Sequence, residues 1–328
     1  MKKRILFHSG QVSERGTEVA LLDYALGNAA VLGNESVCLF PRSKIVSPSM
    51  NERFKSLFDV RYYDDPGEWD GIAEELGADG FYSIRAGGGS GREELPSRVP
   101  SFIHCVFDTR TPYGTVCAAI SPWLNKRYRT RLPVMPHIVE RKSAERGDLR
   151  ERLGIDRSAT VFGCYGGAFS FSVEAARRAV RRVARQRPDI FFAFMNIVPF
   201  CDMANVRFLP GSTDADEKQR FINTCDAMLH GRREGETFGL SVAEFFISGK
   251  PVFTYMPIFD PRRRYDAAHL QMLGDAAITY RSAGELERLL RNFRKTTVSA
   301  EVARSRYLEP FSSRRVLGIF DELFASKL

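Results

Sequence analysis

The sequence predicts two α/β domains in tandem, on three observations. A chain of 328 residues is long enough for about two domains. Short apolar runs of strand length alternate with segments of helical period through both halves. Between the halves, residues 140–150 are charged and lack an apolar period, as an interdomain linker does. The expected domains are residues 1–142 and 149–309.

In the first half, Ile5-Leu6-Phe7-His8 reads as the opening strand. A polar turn with Gly10 and Gly16 follows, and then a helix through Val19 with Thr17 near its cap. Strand, glycine loop and helix start make up the phosphate-friendly unit of a Rossmann-like domain. Gly10 and Gly16 are too far apart for the dinucleotide fingerprint, and by itself Gly16 reads as a tight turn. Strands are expected at 36–40, 60–63, 80–84 and 101–107, with a short helix at 72–76. The glycine run at 86–91 lacks the Lys-Ser/Thr of a P-loop and reads as a loop. His104 lies on the fifth strand, and Asp108 and Arg110 lie in the loop after it. Residues 116–124 pass from strand to helix, and 134–139 close the domain.

The second half opens with a short helix at 149–155 and a strand at 159–165. Gly166 and Gly167 then start a loop whose backbone N–H groups suit an anion. A helix at 173–186 carries a run of arginines, read as a solvated face or as a surface for acidic lipid. No aromatic residues interleave with these arginines, which argues against nucleic acid. Strands follow at 190–196, ending in Asn196, and at 206–211. Asp214-Ala215-Asp216 has the D-x-D pattern of some metal sites, but it precedes a helix and reads as helix-start acids.

The central stretch runs from His230 to Tyr255. Its first part is a polar loop punctuated by glycine. Thr237 is the expected N-cap, with Phe238 and Gly239 opening a helix. Val242 with Phe246, and Ala243 with Ile247, give that helix an apolar face. Gly249-Lys250-Pro251 stops it, and Val252-Phe253-Thr254-Tyr255 reads as a buried strand. Glu236 stands before the helix and Glu244 within it, about two turns in. A carboxylate accepts hydrogen bonds from vicinal hydroxyls, and free amides at a helix start suit a phosphate. A basic turn at 260–265, a strand at 276–280 and helices at 283–295 and 312–325 complete the chain.

A net charge of +8 favours anionic ligands: nucleotides, phosphates or an acidic membrane face. The six cysteines form no C-x-x-C or Cys/His cluster and are expected as reduced thiols, as in a cytoplasmic protein. The N-terminal apolar run is too short for a signal peptide, and none approaches the ~20 residues of a membrane span.

Glu236 to Glu244, with Phe238-Gly239-Leu240 between them and Gly249-Lys250-Pro251-Val252 after them, resembles the E-x7-E signature of retaining GT-B glycosyltransferases of GT4 type. The resemblance implies two Rossmann-like domains facing a cleft, the first for the acceptor and the second for the donor. It also implies a C-terminal helix, within 310–328, that crosses back to the first domain. By resemblance Glu236 contacts the donor sugar, Glu244 the nucleotide ribose, and the amides of Phe238, Gly239 and Leu240 the diphosphate. His104 resembles the histidine those enzymes set beside the reacting bond, although a histidine on a strand also reads as a satisfied core residue. Gly16, Asp108 and Arg110 would face the acceptor or the cleft, and Asn196 the donor.

The chain departs from that pattern at the end of the 159–165 strand. Cys164 stands where the family carries an arginine, and no lysine follows in the loop. Arg232 and Arg233, with the Gly166 and Gly167 amides, are the expected substitutes. The implied reaction is metal-free transfer, without a cofactor, from a UDP- or GDP-linked sugar to a glycan or lipid-linked acceptor. A nucleotide-sugar 2-epimerase and a non-catalytic nucleotide-sugar binding protein are the alternatives.

Overall fold

The computed structural model describes residues 2–88, 94–141, 143–258 and 265–328. Residues 89–91 of the glycine run and 260–264 of the basic turn lie outside the described residues. The chain divides into two compact units, Met1–Ile138 with Pro310–Leu328, and Val139–Glu309. Both units are Rossmann-like.

The first unit has strands β1 (Arg4–His8), β2 (Glu35–Pro41), β3 (Asp59–Tyr63), β4 (Gly80–Gly87), β5 (Ser101–Asp108) and β6 (Val116–Ala119). Its helices are α1 (Gly16–Ala30), α2 (Pro48–Leu57), α3 (Trp69–Leu76) and α4 (Pro122–Tyr128). The strands form one sheet in the order β3-β2-β1-β4-β5-β6, and the pairings are parallel. Central β1 is covered on both faces, so Ile5, Leu6 and Phe7 are fully buried and read as an unbroken apolar run. Helix α2 was not anticipated. Its signal was the pair Ser47-Pro48: Ser47 Oγ accepts from the Met50 amide at 3.3 Å, and Pro48 takes the first turn.

The second unit has β7 (Thr160–Tyr165), α5 (Glu174–Gln186), β8 (Ile190–Met195), β9 (Val206–Leu209), α6 (Ala215–Thr224) and β10 (Ala227–His230). It continues with β11 (Gly235–Glu236), α7 (Leu240–Ile247), β12 (Val252–Tyr255), β13 (Asp266–Ala267) and α8 (Ala268–Leu273). β14 (Ala277–Tyr280), α9 (Ala283–Asn292) and α10 (Ala300–Ala303) complete it. Its sheet runs β14-β12-β10-β7-β8-β9, again with parallel pairings. Each sheet therefore reverses direction once, between β1 and β4 and between β7 and β10. In doubly wound sheets, ligands bind beyond the carboxyl ends of the strands at that reversal.

Residues 149–155 form turns rather than the expected helix. The buried Arg150 holds them: its guanidinium donates to the Ala159 carbonyl at 2.8 Å and pairs with Asp226 at 2.9 Å. Asp214 caps α6, accepting from the Asp216 amide at 2.9 Å, so the D-x-D motif serves a helix start.

The last helix, α11 (Ser313–Leu323), belongs to the first unit. Phe320 packs against Tyr82 and Phe102, with ring centroids 5.6 Å away in each case. Gly27 on α1 lets α11 come close, since a Cβ there would sit 2.7 Å from Leu317 Cδ2. Leu317 is buried beside Val316 and Phe320. Phe320→Ala is expected to lower the stability of the first unit by about 3–5 kcal/mol. Urea unfolding followed by circular dichroism measures this.

Candidate functional site

The reversal point of the second sheet brings together the loops after β7 and β10. Ser172 joins them: its amide and that of Val173 donate to the Gly231 carbonyl, each at 2.9 Å, and its Oγ accepts from the Arg233 amide at 3.0 Å. Gly231 leaves room for Phe171, whose ring would lie 2.6 Å from a Cβ there. The chain then enters β11, which pairs with β13. Gly235 is obligatory in that short ladder. Its φ is +68°, and a Cβ would lie 2.0 Å from the Asp266 carbonyl oxygen.

This frame fixes Glu236. Its side chain is only 14% exposed, and both oxygens are engaged. Arg232 donates to Oε2 at 2.9 Å, and His230 Nε2 lies 3.3 Å from Oε1. Burial alone would raise the carboxyl pKa. The Arg232 charge, the His230 hydrogen bond and the nearby His230 and His269 rings outweigh burial and hold it at about 2.

Beneath the carboxylate lies a polar layer that sequence reasoning did not assemble. His230 Nδ1 is 2.8 Å from Thr254 Oγ1, which is 3.0 Å from His269 Nε2. Tyr265 Oη lies 3.3 Å from the same nitrogen and donates to the Tyr255 carbonyl. Tyr280 Oη donates to the His230 carbonyl at 2.8 Å. His230 carried one signal in sequence, a polar residue ending an apolar strand. Thr254 and His269 are separated from it by a helix and a loop and carried none.

Helix α7 starts later than expected. Gly239, not Thr237, is the N-cap, at φ +96°, and Phe238 is buried. The helix begins at Leu240, so its unpaired first-turn N–H groups belong to Leu240 and its successors. Glu244 lies half-buried just over one turn in. Arg233 is 77% exposed and faces Glu234 at 3.4 Å, whereas Arg232 is committed to Glu236.

The loop after β7 is pinned from β8. Asn196, at φ +57°, donates from Nδ2 to the Gly166 carbonyl at 2.8 Å, and the Gly167 carbonyl accepts from the Ser170 amide. Cys164 is buried on β7, and burial and the Glu236 charge push its thiol pKa up. Thus Gly166, Gly167, Asn196, Arg232, Arg233, Glu236 and Gly239 share one end of one sheet.

The remaining predicted residues lie in the first unit. Gly16 opens α1, exposed, with no left-handed backbone. Beside it Glu18, also unanticipated, is 1% exposed and accepts from the hydroxyls of Ser9, Ser13 and Thr17. Burial raises the Glu18 pKa against those three hydrogen bonds. Asp108 and Arg110 pair with each other, and Arg110 lies over the Tyr128 ring at 5.3 Å. His104 is fully buried, with Nδ1 2.8 Å from Tyr82 Oη and edge-on contacts to Tyr24 and His137. Burial lowers its pKa to about 3, against a backbone hydrogen bond with Met135. The expectation of a histidine beside the reacting bond is therefore corrected: His104 is a core residue with no atom open to a substrate.

No family model matches the sequence, and no curated protein is similar to it. Solved structures are similar in fold along nearly the whole chain. Anabaena Alr3699/HepE in complex with UDP and glucose has a TM-score of 0.72 at 13% identity, over 99% of this chain and 100% of that one. A glycosyltransferase from Rickettsia africae has 0.68 at 11% identity, over 98% of both chains. A protein from Listeria monocytogenes described as a UDP-N-acetylglucosamine 2-epimerase has 0.60 at 10% identity, over 99% and 98%. The fold is that of the GT-B glycosyltransferases.

The depressed pKa of Glu236 gives a signed prediction. The carboxylate stabilises the fold above its unfolded pKa near 4.5, and that stability is lost as pH falls through about 2. Native protein should exceed Glu236→Gln in unfolding free energy by about 3 kcal/mol near neutrality. The gap should close between pH 4.5 and 2. Denaturant titrations across that range measure it.

Proposed function

We propose that the chain is a glycosyltransferase that moves a sugar from a nucleotide-diphosphate sugar to an acceptor hydroxyl, with retention and without a metal ion, of GT4 type. One observation carries this reading. A carboxylate held charged at the reversal point of a parallel sheet stands just before a helix start and eight residues before a second acid.

In this reading the second unit holds the donor and the first the acceptor. Glu236 accepts hydrogen bonds from the sugar hydroxyls, and Glu244 from the ribose hydroxyls. The amides at the start of α7 and the loop at Gly166 and Gly167 receive the diphosphate. Arg232 still has N–H donors beyond the one on Glu236, and it supplies the positive charge that Cys164 does not. The bond from the anomeric carbon to the phosphate oxygen breaks while the acceptor oxygen bonds to that carbon on the same face. The acceptor proton passes to the departing phosphate oxygen. UDP- or GDP-linked donors and glycan or lipid-linked acceptors fit this scheme, with no nucleic-acid partner and no cofactor.

We place the protein in the cytoplasm, with peripheral contact to an acidic membrane face through the exposed Arg178 and Arg185 of α5. Among the described residues no helix is long and apolar enough to cross a membrane. The alternative of a nucleotide-sugar 2-epimerase draws on the histidine beside Glu236 and on the fold it shares with the Listeria protein. Product analysis without an acceptor separates the two.

Two measurements test the reading. A thermal-shift screen over UDP-, GDP- and dTDP-sugars should give one donor class that raises the melting temperature. Glu236→Ala and Glu244→Ala should each cut transfer at least a hundredfold while the melting transition is retained. Normal turnover by both variants would reject the site, and tight donor binding without turnover would favour a binding protein.

A further inference from the structure

We infer that Thr254 and His269 are positioning residues for Glu236, forming a one-way chain of hydrogen bonds that fixes His230 in the tautomer with its proton on Nε2. The purpose assigned to this chain rests on the proposed function; its existence does not.

The direction of the chain follows from counting protons. An ionised carboxylate only accepts, so His230 Nε2 donates to Glu236 Oε1 across 3.3 Å. In the neutral ring Nδ1 is then an acceptor, and its partner at 2.8 Å, Thr254 Oγ1, must donate. That uses the only hydroxyl proton. Thr254 Oγ1 can therefore only accept from His269 Nε2, 3.0 Å away. Tyr265 has given its proton to the Tyr255 carbonyl, so it too can only accept from His269 Nε2. The protons of His269, Thr254 and His230 thus point in turn towards the carboxylate, and His269 carries its own on Nε2.

Burial makes the chain exclusive. His230 is 3% exposed, and Thr254 and His269 are fully buried, so water cannot replace a missing member. His269 stays neutral because burial lowers its pKa to about 3. Reversing one link would reverse the rest: a proton on His230 Nδ1 would turn the Thr254 hydroxyl towards His269 and displace the His269 proton. The groups facing Glu236 are Arg232, His230 and His269, with Cys164 and Tyr265 behind. Arg232 and His230 hold one oxygen each, so the carboxylate cannot rotate, and its remaining lone pairs have fixed directions. Sugar hydroxyls are recognised by those directions.

The test uses Thr254→Val, which removes the hydroxyl and keeps the shape. Imidazole nitrogen NMR of the native protein should show His230 protonated on Nε2, and Thr254→Val should show a tautomer mixture. With the best donor from the thermal-shift screen, Thr254→Val should lower kcat on the order of tenfold. Its affinity for the free nucleotide diphosphate should match native, and Thr254→Ser should restore both readouts. A defect confined to stability would leave the tautomer and the sugar dependence unchanged.

Native tautomer and native kcat in Thr254→Val would overturn the inference, as would His230 protonated on Nδ1 in the native protein. If Thr254→Val does not fold, His269→Gln, which keeps a donor, is compared with His269→Leu, which does not. Should the native protein turn over no donor, the functional reading fails, and the NMR result still decides the chain.

Discussion

A carboxylate nearly out of water is unstable as an anion unless its surroundings supply opposite charge and donors. Glu236 has both, from Arg232 and His230, and much of the second unit's local geometry serves that arrangement. Gly235 accepts a left-handed backbone so that β11 can reach β13. β13 runs directly into α8, which carries His269 under the site. β12 brings Thr254 between the two histidines, and Tyr280 on β14 holds the His230 carbonyl. Three adjacent strands and a short helix thus converge on one side chain.

The two units use the same strand order and treat their reversal points differently. In the second, the buried acid is ionised by a cation and a histidine. In the first, Glu18 lies in the first turn of α1, after the opening strand, and is met by three neutral hydroxyls, with its pKa raised. The same topology therefore carries one buried acid set against charge and another set against hydroxyls. The difference lies in what the loop supplies: arginine and histidine near Glu236, serine and threonine near Glu18.

The architecture was legible because parallel strands buried on both faces leave short, dense apolar runs, and β1, β8 and β10 are such runs. The loop-to-helix junction between the acids at 236 and 244 was legible because a glycine punctuates it and an apolar face follows. The helix start was placed early because Thr237 has capping chemistry, whereas Gly239 supplies the backbone turn. His104 misled because strand position does not reveal which face a side chain takes; tertiary packing turned it towards Tyr82 and His137. The chain below Glu236 was illegible for a related reason. Its members are close only through the pairing of β10 with β12 and the placement of α8, and no local pattern encodes either.

Helix α11 has a consequence for how the protein is made. The sheet of the first unit is completed by residues that follow the whole second unit in the chain, since Leu317 and Phe320 fill the space over Gly27, Phe7 and Tyr82. The unit begun first thus remains unfinished, with apolar surface uncovered, until the second has been made, while the second is contiguous and can close earlier.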